Sequence, residues 1–211
     1  MDLPDSGMVG VGISGGLDSL VLLFYICDII SPNVSILPMQ SIGSRVTNTA
    51  SITKNILSDA RIKHPNLDIK EIEVFHWEED GINEQHEVHG IFDKKMYEKY
   101  KDLKIIITGL TALPSWDIVN SWGDMFIDER RVNKTNALYQ IHHVTGAKTY
   151  RPFAHMDKRD IALLFKQLNL PERYIKESWS CTYYAERTNN YTEPCKICYH
   201  CHEKKWAFGQ Y

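Results

Sequence analysis

The chain has 211 residues, 43% hydrophobic and 24% charged, the composition of a folded globular protein with one full core and a small appendage. A net charge of -3 speaks against a broad nucleic-acid or membrane surface. No apolar run reaches the roughly 18 residues of a membrane span. The acidic start, Met1-Asp2-Leu3-Pro4-Asp5, lacks the basic opening of a secretion signal, so the expected location is the cytoplasm.

Met8–Ile13 is an apolar run of strand length, and Leu17–Ile30 is apolar on nearly every face, which predicts a buried helix. Val34–Met39 predicts a second strand. Asn48–Ile62 carries Ile52, Ile56 and Leu57 at helical spacing, with Pro65 beyond as a stop. Ile69–Phe75 alternates like a strand, the acidic stretch His76–Gly90 predicts a loop, and Ile91–Tyr100 a helix. Leu103–Thr108, with three consecutive isoleucines, predicts a buried strand ended by Gly109. Thr111–Asn133 predicts loop with a short helix, and Thr135–Val144 a helix. Asp157 predicts an N-cap for a helix carrying Ile161, Leu164, Phe165 and Leu168, closed by Pro171. Alternating strands and helices imply a parallel sheet, which binds ligands at the carboxyl ends of its strands.

Between the first strand and the first helix lies Ser14-Gly15-Gly16-Leu17-Asp18-Ser19. Gly10 to Gly15 also matches GxGxxG, but its first two glycines fall inside the strand and no carboxylate follows the second strand, so a dinucleotide site is disfavoured. No Lys-Ser/Thr pair follows the glycines, which excludes a Walker A loop. A tight turn with no ligand is the remaining bland alternative. Two glycines let the backbone approach an anion closely, the helix start is electropositive, and Ser14 and Ser19 add hydroxyls. Asp18 repels bare phosphate and suits either a cap or Mg²⁺.

Four of the five cysteines fall in the last 31 residues, and Cys195, Cys198 and Cys201 follow one another with two residues between. With Cys181 they form a candidate tetrahedral Cys₄ site for Zn²⁺. An iron–sulfur cluster, redox thiols, or substitution of His200 or His202 for one ligand stay open. Cys27, in the apolar helix, reads as a small core residue.

Ser14–Ser19 resembles the SGGxDS loop of the PP-loop (N-type) ATP pyrophosphatases. Combined with residues 151–171, the string Glu177-Ser178-Trp179-Ser180-Cys181, the other three cysteines and the closing segment 203–208, the chain resembles the 7-cyano-7-deazaguanine synthases. The resemblance implies an α/β fold: a three-layer, Rossmann-like parallel sheet of adenine nucleotide alpha-hydrolase type over residues 1–171. A Cys₄ zinc lobe would occupy residues 172–211. It further implies that 7-carboxy-7-deazaguanine is adenylated by ATP and converted with ammonia to the nitrile. Asp18, Ser19 and Lys158 would be catalytic, Lys158 matching the family's lysine. Ser14, Gly15, Gly16, Leu17, Asp18 and Ser19 would bind ATP. The second strand's end, Met39 and Gln40, would border the adenine, Gly109 would face the cleft, and Arg151 would reach a phosphate or carboxylate. The implied cofactors are ATP, Mg²⁺ and Zn²⁺; the partners are a small acid and ammonia, without membrane or nucleic acid. A homodimer is compatible with the sequence, which does not fix oligomeric state.

The family's usual strings after the second strand and in the middle of the chain are not matched. Pro38-Met39-Gln40-Ser41 stands in place of the first. In the second region Asp124, Asp128, Glu129, Arg130 and Arg131 are candidates for a purine edge and its carboxylate. Two alternatives therefore stand beside the synthase: a PP-loop adenylating enzyme for another acid, amide or RNA base, and a nucleotide-binding regulatory or defence protein without turnover.

Overall fold

A computed structural model describes residues 3–43, 49–77, 84–123, 138–141, 146, 148–181 and 187–211. The elements among them are β1 (Gly7–Gly12), α1 (Leu17–Ile29), β2 (Val34–Gly43), α2 (Thr49–Lys63), β3 (Glu73–Trp77), α3 (Glu84–Lys99), β4 (Leu103–Ile107), α4 (Trp116–Asn120), β5 (Tyr139–Ile141), β6 (Lys148–Tyr150), α5 (Lys158–Gln167), α6 (Arg173–Glu177) and α7 (Tyr199–Phe208). The sheet order is β3-β2-β1-β4-β6-β5. Every pairing is parallel except β5 with β6, which closes that edge antiparallel. The expected α/β parallel-sheet architecture is the one present.

Two apolar layers sandwich the sheet. Val9, Val11, Val34, Ile36 and Ile107 turn to one face, where they meet α1, α2 and α5. Met8, Leu37, Met39, Leu103 and Ile106 turn to the other, where Phe92 and Met96 of α3 cover them. The even and odd residues of β1 thus serve different layers, as strand pleating requires. α1 lies at the centre of the larger layer and is buried nearly all round, which explains the missing polar face in its sequence.

Pro38 sits in a central strand, opposite Val11, where proline is normally excluded. Its neighbour Met39 turns its carbonyl toward β1, accepting from Ile13, while Ile36 bonds Asp68 and Lys70 on the other side. Pro38 therefore faces β3, and the N–H it lacks falls where that strand is interrupted. Ile69 makes only an isolated bridge to Ile36, and regular pairing resumes at Met39–Glu73. The single strand expected over Ile69–Phe75 is split for this reason.

Two other expectations are corrected. The expected loop His76–Gly90 is strand through Trp77 and helix from Glu84 onward. The segment 84–90 has helix-forming Glu and Gln but no apolar period to betray it. The helix expected over Thr135–Val144 is instead strand at Tyr139–Ile141. Pairing with β6 and contact of the Tyr139 and Tyr150 rings, 4.8 Å between centroids, override local preference.

Candidate nucleotide and metal site

The chain runs outward from β1 to β2 and β3, then returns to β4 on the opposite side of β1. The carboxyl ends of β1 and β4 are therefore the topological switch point, where open α/β sheets leave a crevice for ligand. Ser14–Ser19 leaves β1 there, and Gly109 leaves β4.

The loop is shaped by its own side chains. Gly15 takes the left-handed conformation at φ +83°, which glycine adopts freely. Ser19 Oγ accepts the Ser14 amide at 3.0 Å, meets Ser14 Oγ at 3.1 Å and donates to the Gly16 carbonyl at 3.0 Å. Ser14 Oγ also accepts the Gly16 amide at 3.3 Å. Gly16 is the N-cap of α1 and supplies no side-chain cap. The first turn thus presents its positive end without a built-in acceptor, an arrangement suited to an anion. Gly109 packs tightly here: a Cβ on it would lie 3.1 Å from the Asp18 carbonyl carbon and oxygen. Gly10, by contrast, is a packing glycine, since a Cβ there would fall 2.6 Å from Met39 Sδ.

One lysine and two carboxylates meet beside the loop. Lys158 is the first residue of α5, whose start is fixed by a reciprocal capping box between Asp157 and Asp160. Its buried ammonium donates to Asp18 Oδ2 and lies 3.8 Å from Glu203 Oε2. Asp18 Oδ1 is buried with no hydrogen-bond partner among the described residues. An ionised carboxylate oxygen left in that state calls for a cation.

The remaining expected residues fall as follows. Met39 is core, its side chain among Met8, Leu37 and Phe92 and its carbonyl bonded to Ile13. Gln40 is buried, its amide donating to Thr53 Oγ1 at 3.1 Å. Arg151 follows β6 and is half-buried. It lies near Asp93 of α3, whose carboxyl is pushed up to about 7 by burial, with the Arg151 charge opposing. Asp93 was invisible in the sequence, where it is one carboxylate in a charged helix. Asp124, Asp128, Glu129, Arg130 and Arg131 lie outside the described residues.

The C-terminal residues close the other side of the loop. The Trp179 amide donates to the Gly15 carbonyl at 3.0 Å. Two residues on, Cys181 joins Cys195, Cys198 and Cys201, whose sulfurs all lie within 4.8 Å of one another. Among the described residues this is the one group of three or more side chains placed to share a metal. Cys195 and Cys201 are 3.9 Å apart, and sulfur accepts the Cys195 and Cys198 amides at 3.4 and 3.3 Å. Hydrogen bonds with Cys181 and Cys198, then burial, raise the Cys201 thiol; a central cation reverses that by stabilising thiolate. Cys27 lies apart in the core, its thiol pushed up to about 12 chiefly by burial.

A parallel α/β sheet with a glycine–serine loop at its switch point has the architecture of the adenine nucleotide alpha-hydrolase fold. The model of the family described as queuosine biosynthesis protein QueC matches residues 124–211, less than half of the chain. The fold is similar to that of the U34-tRNA thiolase NcsA from Methanococcus maripaludis, solved with its [4Fe-4S] cluster. The TM-score is 0.52 at 15% identity, covering 80% of this chain and 58% of the thiolase; the chain thus spans little more than half the thiolase's length. Similarity extends to an NH3-dependent NAD synthetase from Campylobacter jejuni (TM-score 0.45, 18% identity, 86% of this chain and 72% of that one). It also extends to NMN synthetase from Francisella tularensis (TM-score 0.49, 10% identity, 99% and 79%). No curated protein sequence matches the chain at a significant level. Among the described residues no helix is long and apolar enough to cross a membrane.

Proposed function

We propose that this protein is an ATP-dependent ligase that adenylates a small carboxylate, 7-carboxy-7-deazaguanine, and converts it with ammonia to 7-cyano-7-deazaguanine. One observation carries the reading. The start of α1 lacks a side-chain cap, and Asp18 and Lys158 stand together at its mouth.

In this reading the terminal phosphates of ATP sit on the loop amides and the Ser14 and Ser19 hydroxyls. The substrate carboxylate attacks the α-phosphorus, the bond to the bridging oxygen breaks, and pyrophosphate leaves. Ammonia adds to the acyl carbon, a proton is lost, and AMP departs to leave the amide. The amide oxygen attacks a second ATP, again expelling pyrophosphate. Loss of two protons from nitrogen and cleavage of the C–O bond then release AMP and the nitrile. Lys158 and the loop amides stabilise the charge that builds on the leaving phosphates. Asp18 would hold Mg²⁺, which supplies further neutralisation of that charge. Gly109 and Arg151 follow β4 and β6 at the strand ends from which adenine and the carboxylate would be reached, while Gln40 lies buried within β2. The net charge of -3 favours a small acid over an RNA base.

Zinc suits the four cysteines. Four thiolates about 2.3 Å from one ion stand about 3.8 Å apart, close to the 3.9 Å between Cys195 and Cys201. A four-iron cube binds each thiolate through a different iron and spreads them farther. Zinc here would be structural, tying Cys181, and through it Trp179, to α7.

The test is to incubate the protein with ATP, Mg²⁺, ammonium and 7-carboxy-7-deazaguanine and to follow AMP and nitrile by mass spectrometry. Both products are expected. AMP released only with another acid or amide would replace the substrate. Mg·ATP binding with no AMP from any acceptor would favour a nucleotide sensor.

A further inference from the structure

Glu203 belongs to neither the phosphate loop nor the metal set, yet it is completely buried. A buried carboxylate is costly unless paired and hydrogen-bonded. Its Oε1 accepts the Tyr199 hydroxyl at 3.0 Å, one helical turn earlier on α7, and its Oε2 lies 3.8 Å from Lys158 Nζ. Lys204, next along the helix, is buried too but spends its ammonium on the Ser178 carbonyl at 3.0 Å. Lys158 thus faces Glu203 across the α5–α7 contact, and its ammonium has two carboxylates beside it, Asp18 and Glu203.

We infer that Glu203 is the positioning residue that holds the Lys158 ammonium at the mouth of the phosphate loop when Asp18 turns to its ligand. This rests on the nucleotide reading above. A lysine has a flexible four-carbon stem and a point charge with three donors, so one partner does not fix it. When Asp18 takes a cation through Oδ1, its hold on Lys158 weakens. Glu203, carried by α7 and not by the loop, remains. It is carried by the helix that Cys198 caps and Cys201 enters, so the metal lobe sets the pose of a lysine of the nucleotide site. No signal in the sequence joined position 203 to position 158.

The experiment is a double-mutant cycle in the full, metal-loaded chain: Glu203→Gln, Lys158→Met and both together. Metal content, denaturant midpoint and Mg·ATP affinity by calorimetry are read for each. Glu203→Gln is expected to retain its metal and to weaken Mg·ATP about tenfold or more. In the Lys158→Met background the same change is expected to cost no further affinity. There it should raise the midpoint rather than lower it, because it removes a buried charge that no longer faces the Lys158 ammonium. Equal factors in both backgrounds would overturn the inference and leave Glu203 a structural residue. Tyr199→Phe, which removes one hydrogen bond and keeps the charge, should fall between wild type and Glu203→Gln; no change in affinity there counts against the inference. If wild type binds no Mg·ATP, the nucleotide reading fails. The midpoint cycle then still decides the pair: reversal of sign upholds it and additivity overturns it.

Discussion

Replacing Gly15 with alanine tests the loop geometry most directly. At φ +83° an alanine suffers the left-handed penalty of about 1–2 kcal/mol. Its Cβ would also lie 3.0 Å from Thr49 Cβ and 3.2 Å from Thr49 Cγ2 at the start of α2, and overpacking of this kind costs about 1–3 kcal/mol. The total, about 2–5 kcal/mol, lowers the melting temperature by about 4 °C or more for a chain of this size. Thr49→Gly in the Gly15→Ala background removes the steric part and leaves the backbone part, so it should restore about half of the loss. Urea unfolding of wild type, the two single variants and the double variant reads the cycle. An unchanged midpoint for Gly15→Ala would refute the loop conformation. Full recovery in the double variant would refute the backbone penalty.

Asp18→Ala should reduce AMP formation about a hundredfold or more while circular dichroism stays that of the wild type, since Lys158 keeps Glu203; surviving turnover would make Asp18 structural. Elemental analysis should return about one zinc per chain, and chelation should weaken Mg·ATP binding through the Trp179–Gly15 bond; visible colour with iron would refute a single-ion site. Asp93 titrates near 7 in the folded chain, with Arg151 and Tyr97 as its charged or titratable neighbours, against 3.8 ordinarily. The folded state therefore binds this proton more tightly. The stability it lends is complete below about 3.8 and is lost as pH rises toward about 7. Asp93→Asn should flatten that part of the urea midpoint–pH curve, and an unaltered slope would remove Asp93 as its source.

Features written in consecutive residues could be read from the chain itself. β1, β2 and β4 are apolar runs, and the helices with an apolar stripe, α2 and α5, announced themselves by period; the Asp157 cap was visible because capping is local. The loop and the cysteine spacing are short strings whose chemistry needs only neighbours. What escaped depends on distant partners. Pro38 splits β3 from across the sheet, and β5 is a strand only because β6 lies beside it. Gly109 is required by the backbone of Asp18, and nothing near position 109 says so. Glu203 and Asp93 look like ordinary surface carboxylates until α5 and β6 close over them. That the Met39 side chain turns into the core is decided by the pleat of β2 against α3, which the end of an apolar run does not show.

The hydrogen bond from Trp179 to Gly15 has a consequence for biosynthesis. The bend after the first strand emerges early from the ribosome, but one of its walls is made of residues translated some 160 positions later. On the proposed reading, nucleotide capture by the nascent chain would therefore wait until the segment bearing Trp179 has been made.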